Sequence, residues 1–232
     1  MTAFRPFLAM LALAATCSGA QAERSRLADD AGVVEAGDCE IETAFERKSV
    51  RGSARERGAS IQFGCGIGWE TELVASFARK HSDGATREEA VGLEAKTSLR
   101  KRGDGRIGLT LVLGVGGERL AGGPWRRNEH SLALEATYAP TQGWLIEAKF
   151  GSARDRFARN DKTLWLLGVE HRLTETLEAR AEIGGDDRRR PLLGVALRWQ
   201  FWPENASVKV SYGTRAGPER ERLVSAAFSF EF

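Results

Sequence analysis

Acids and bases recur at alternate positions along much of this chain, as in Glu40 and Glu42, Glu94 and Lys96, Glu147 and Lys149, or Glu178, Arg180 and Glu182. On an extended backbone, residues two apart share a face, so each such run projects its charges to one side. Groups of this kind can neutralise one another as cross-strand ion pairs, the way buried charge is tolerated. They can also line a narrow aqueous path whose charge selects its solutes. The candidates for that lining are Glu94, Lys96, Gly108, Thr110, Gly114, Glu135, Glu147, Lys149, Arg180 and Arg198, and Glu70 and Arg106 read as members of the same inward set. Acids outnumber bases in the inward set as a whole, so a continuous path would be negative and favour cations. Small residues at Gly108, Thr110, Gly114, Ser131, Ala133 and Thr137 would leave space beside one wall. No zinc, P-loop, dinucleotide or acyl-transfer pattern is present. The glycines of Gly114 to Gly117 lead to no helix, and neither a catalytic residue, a metal nor a cofactor is assigned.

The elements that hold these charges have period two. From Asp38 onward, runs of about ten residues alternate apolar and polar and close on Gly, Asp, Asn or Pro, as in Val91, Leu93, Ala95, Thr97 and Leu99, or Leu193, Val195, Leu197, Trp199 and Phe201. A charge facing lipid at mid-membrane costs about 2–4 kcal/mol, so the apolar set should face lipid and the charged set the lumen. The expected fold is therefore all-β, a transmembrane antiparallel up-and-down β-barrel of about twelve strands. His171 is the imperfect residue, falling in the outward phase near a strand end. Short connections are expected after even-numbered strands. Longer arginine-rich loops are expected at Lys48 to Gly58, Gly117 to Glu129, Ser152 to Asp161, Gly184 to Arg190 and Arg215 to Arg222. Aromatic residues form two girdles on this assignment, one with Trp69, Tyr138, Trp144, Trp199, Phe201, Trp202 and Phe232, the other with Phe45, Phe77, Phe150, Trp165 and Tyr212.

The first residues read as an export signal, with Arg5, an apolar run from Phe7 to Ala15, and Ala20-Gln21-Ala22 as a small-x-small cleavage site. The organisation expected is a signal peptide over 1–22, a periplasmic lead-in over 23–37 and an outer-membrane barrel over 38–232. Lipidation at Cys17 is disfavoured by Ala14 and Thr16 in the positions before it. Removal of the signal leaves Cys39 and Cys65 in an oxidising compartment. Pairing the first two strands about Gly52 sets them opposite each other near the periplasmic end, where a disulfide can form. A net charge of +2 and an export signal give no reason to invoke nucleic acid. The expected partners are outer-membrane lipid and lipopolysaccharide, whose phosphates His81 and the arginine-rich loops would touch, and a small solute.

The last segment, Val224 to Phe232, resembles the C-terminal signal of bacterial outer-membrane proteins, with Phe228, Phe230 and a terminal Phe232 in alternation. That resemblance implies recognition by the barrel-assembly machinery during insertion. Asp29 to Gly37 followed by Glu40-Ile41-Glu42 resembles the start of the phenol-degradation meta-pathway outer-membrane family, whose members are thought to pass small, often hydrophobic compounds. Pairing strands six and seven about Thr141 would place His130 opposite Ser152, similar to the nucleophile and base of the outer-membrane phospholipase family, with Asn128 or Asn160 as the orienting group. The family's local motif is absent. The function the sequence favours is a narrow channel or transporter for small solutes. A non-conducting structural or surface barrel is the alternative, and a hydrolase using Ser152 and His130 a remoter one.

Overall fold

The computed structural model describes residues 32–232 except 54, 84–86, 104, 121, 156–159, 204, 216, 218 and 219, and the side chains of 127, 128, 155 and 160 are also left aside. The expected signal peptide, Cys17 and most of the lead-in lie outside the described residues, as do the side chains of Asn128 and Asn160. Twelve strands follow one another: β1 Cys39–Ser49, β2 Glu56–Gly68, β3 Thr71–Ser82, β4 Glu88–Arg100, β5 Gly108–Leu120, β6 Arg126–Tyr138, β7 Trp144–Asp155, β8 Asn160–Arg172, β9 Leu177–Asp186, β10 Leu192–Trp202, β11 Ala206–Arg215 and β12 Glu221–Glu231. Each pairs antiparallel with its neighbours in sequence, and β1 pairs with β12, so the sheet closes. Closure leaves no open edge, which a backbone surrounded by lipid requires.

The interior is inverted relative to a soluble domain. Glu135 is the largest fully buried side chain, 1% exposed, whereas Phe45 and Phe150 stand 65% and 66% exposed. Glutamate is almost never buried without a partner in water-soluble proteins. Here the outward face is a band of Leu, Val, Ile and aromatic side chains, and the inward phase carries the charge. His171 does face outward, but it is accommodated. Its ring stacks on Trp144 with centroids 4.1 Å apart, and Nδ1–H donates to the Gly143 carbonyl at 3.2 Å.

Three expectations need correction. The loops after odd-numbered strands are scarcely longer than the turns at the other rim: 50–55, 83–87, 121–125, 156–159, 187–191 and 216–220 against 69–70, 101–107, 139–143, 173–176 and 203–205. The ladders continue past the apolar band because charged pairs carry them, as in Lys48–Glu56 at 3.6 Å and Arg215–Glu221 at 3.3 Å. Glu70 and Arg106 sit in connections outside the strands. The β6–β7 register is shifted by two residues, with Tyr138 opposite Ile146, His130 opposite Arg154 and Ser152 opposite Leu132. A two-residue shift keeps every side chain on its face. The tight turn ends instead on Gly143, whose φ of +83° suits glycine.

At the rim bearing both ends of the strand sequence, Cys39 N–H donates to the Phe232 carbonyl and Phe232 N–H to the Cys39 carbonyl, both at 2.9 Å. The Phe232 ring lies 6.5 Å from Phe63 and 5.9 Å from Phe230. The last residue thus fastens the closing seam. Deleting Phe232 is expected to lower the yield of heat-modifiable, membrane-inserted barrel severalfold while changing the unfolding midpoint of the inserted fraction little. Unchanged yield, scored by gel mobility of unboiled membranes, contradicts this.

Candidate functional site: the charged lumen

Strand alternation delivers the inward charges, and register decides which of them meet. Glu135 on β6 is opposite Lys149 on β7, and their charged atoms lie 2.5 Å apart. Arg180 on β9 reaches Glu147 at 2.8 Å and Glu182 at 3.1 Å. Glu178 forms ion pairs with Arg172 at 3.5 Å and Arg198 at 3.8 Å, and Lys209 reaches Glu42 at 3.4 Å. Removing one member of a buried pair strands the other, at about 3–5 kcal/mol. The Glu135–Lys149 and Glu147–Arg180–Glu182 contacts therefore tie β6, β7 and β9 together on the lumen side. Leu164 and Leu166, also in the inward phase of β8, fill beside them.

Open volume lies nearer the rim that carries Cys39 and Phe232. One cavity of about 300 Å³ is walled by β1–β4 and β8–β12, with Glu40, Glu42, Glu72, Glu170, Glu178 and Glu231 facing Lys96, Arg180, Arg198 and Lys209. A second, of about 550 Å³, lies against Gly108, Thr110, Thr137, Arg100 at the end of β4, and Lys101 and Arg102 in the connection beyond it. Residues 32–35 border both cavities, so the lead-in lies between an acid-rich chamber and one of mixed charge. Sequence reasoning treated this segment as a simple approach to the barrel. Of the expected lining residues, Lys96, Arg180 and Arg198 border the first cavity, and Gly108 and Thr110 the second. Glu94, Gly114, Glu135, Glu147 and Lys149 face inward outside these two cavities. Gly108 offers no spare room, since a Cβ there would meet Thr137 Oγ1 at 2.6 Å. In the second chamber the Lys101 ammonium, outside the strands, lies 2.9 Å from Glu70. The hydrogen bond and charge of that carboxylate raise its pKa above that of an ordinary lysine.

The lead-in is pinned beside the cysteines. Ala36 bridges to Gly66, Gly37 N–H donates to the Gly66 carbonyl, and Gly66 N–H donates to the Asp38 carbonyl, each bond 3.0 Å. A side chain at Gly66 would overlap the carbonyl oxygens of Val34 and Glu35, so glycine is what lets the strap lie down. The neighbouring Cys65 is directly opposite Cys39 and disulfide-bonded to it, with Cα atoms 4.1 Å apart.

The Ser152 and His130 side chains share the outer face but sit diagonally, and no hydrogen bond joins them. That register assembles no nucleophile–base pair. Among the described residues no three His, Cys, Asp or Glu side chains are grouped to hold a metal.

A closed twelve-stranded barrel with an apolar outer band, aromatic residues along both edges of the band and a charged lumen is a bacterial outer-membrane β-barrel. Within that class, the chain belongs to the family described as uncharacterised conserved protein UCP029691, which it matches over residues 9–228. No curated protein matches it in sequence. Among solved structures it is similar to the COG4313 outer membrane channel from Pseudomonas putida F1, with TM-score 0.62, 8% identity, and coverage of 88% of this chain and 99% of that one. It is also similar to the KdgM porin in complex with disordered oligogalacturonate, with TM-score 0.60, 11% identity and coverage of 82% and 99%. The beta domain of the Bordetella autotransporter BrkA gives TM-score 0.58, 16% identity and coverage of 84% and 99%. At these identities the likeness is one of fold. The resemblance of the lead-in to the phenol-degradation family gains no support from these matches.

If the lead-in lies across the mouth only because residue 66 lacks a side chain, Gly66→Val should lift it. Thermolysin is then expected to cut the folded barrel before Val34 severalfold faster than the unsubstituted protein, because cleavage follows the population of the open form. Equal cleavage rates would contradict the pinning.

Proposed function

We propose that this barrel is a narrow channel for small polar solutes, with a preference for cations. The observation that carries the reading is the pair of lumenal cavities flanking the lead-in, lined by charged and hydroxyl side chains. A lumen built only to fill a barrel would close over such volume with apolar or mutually paired groups. The excess of carboxylates along the inward phase gives the interior a negative field. Oligogalacturonate, the acidic sugar chain held by the KdgM porin, is the opposite kind of solute and would be repelled here. The locked wall of Glu135–Lys149 and Glu147–Arg180–Glu182 favours a second reading, a barrel that does not conduct and serves the envelope structurally.

Swelling of proteoliposomes in isotonic solutions separates the two. Lysine hydrochloride and glycine are expected to enter faster than sodium glutamate, and a trisaccharide to be excluded. Swelling no faster than that of protein-free liposomes, with the barrel folded, supports the structural reading. Fastest entry of the anion overturns the cation preference.

A further inference from the structure

We infer that the outer wall of β1–β5, above the apolar band at the rim opposite the termini, is a docking surface for the phosphorylated headgroup of a membrane glycolipid. Arg47, Arg57 and His81 form one outward-facing row across β1, β2 and β3, each directly opposite the next. Like charges placed opposite each other across strands repel. Inside the barrel the acids and bases meet in pairs, but on this wall no carboxylate among the described residues pairs with Arg47 or Arg57. An anion delivered from outside the chain relieves that repulsion. A phosphate suits it best, since guanidinium groups bind its oxygens two at a time.

The neighbouring row extends the same surface. Arg79 on β3, Glu89 on β4 and Arg119 on β5 are in register. Glu89 is 4% exposed although its phase is outward. It is covered by Arg79 at 3.1 Å, by Arg119 at 2.5 Å and by Arg87. Three guanidinium groups on one carboxylate leave the cluster positive, and the carboxylate holds them fanned over the wall. Arg119 also lies over the Trp125 ring at 4.7 Å.

Position identifies the occupant as a lipid. Along the row below Arg47 and Arg57 lie Phe45 and Ala59, and Arg47 is continuous on its other side with Val224 and Tyr212. Phe45, Val224 and Tyr212 are all exposed on the outer face. An amphiphile with its chains on this apolar wall brings its phosphate to the arginines, whereas a free anion gains nothing from the wall beneath. The site thus lies on the strands themselves, at the edge of the membrane, and does not depend on the loop tips.

The test uses the full, disulfide-bonded barrel in detergent, titrated with hexa-acylated bisphosphoryl lipid A, with the same lipid stripped of both phosphates, and with inorganic phosphate. Bound lipid is counted by native mass spectrometry. Bisphosphoryl lipid A is expected to bind at least about tenfold more tightly than the stripped form. The double variant Arg47→Ala/Arg57→Ala is expected to lose about tenfold while Arg154→Ala, paired with Asp161 elsewhere on the wall, loses little. Arg57→Glu, which leaves strand pairing intact, should abolish the phosphate dependence. Equal binding of the stripped lipid, an unaffected double variant, or competition by millimolar inorganic phosphate would each overturn the assignment.

Discussion

Everything in this barrel depends on matching charge with charge inside a narrow lumen. The outer face has to be apolar because lipid offers no partner for a polar group, so every second residue must turn inward, and many of those residues are ionised. Glu135 can be 1% exposed because Lys149 stands opposite it at 2.5 Å. Arg180 serves two carboxylates on different strands, Glu147 and Glu182, and ties the β7 wall to β9 in a way the backbone ladder alone does not. Where this pairing is dense the lumen is filled. Where carboxylates run in excess, beside Glu40, Glu42 and Glu231, a cavity remains. The pairing of acids against bases therefore sets the stability of the wall.

The lead-in adds a second layer to that entrance. Its hold is local and built from small things: a glycine at 66 that admits two carbonyl groups, backbone bonds from Gly37 and Asp38, and a disulfide one residue away. Backbone pinned in this way crosses the mouth without needing an apolar core beneath it. Half-buried Val33 and Val34 border both cavities, so on the proposed function a solute from this rim passes one side of the strap or the other. The opposite rim shows the converse arrangement. There Arg47 and Arg57 face each other on the outer wall, while Arg79, Arg87 and Arg119 share the one carboxylate of Glu89.

Much of this architecture was legible from residue types. Alternation such as Val91, Leu93, Ala95 against Gly92, Glu94, Lys96 assigns both faces of a strand without knowledge of its neighbours, and the strand number follows from counting such runs. Pairing is a different matter. A shift of two residues between β6 and β7 leaves alternation intact, so the pattern that located both strands was blind to His130 facing Arg154 and Ser152 facing Leu132. Strand ends were misjudged for a related reason: polar ladders beyond the membrane, such as Lys48–Glu56, carry no apolar signature. The strap was missed because its signal is one glycine among the many that strands and turns contain. Glu89 breaks the phase rule outright, and the only sequence cue was the nearness of Arg87; Arg79 and Arg119 become its neighbours through the fold.

The central claim is that the paired interior still leaves a continuous aqueous route with a negative field. Recording single barrels in a planar bilayer across a potassium chloride gradient tests it most directly. The account predicts small discrete steps whose reversal potential lies toward potassium. A silent bilayer containing folded, heat-modifiable barrel, or a reversal potential lying toward chloride, would contradict it.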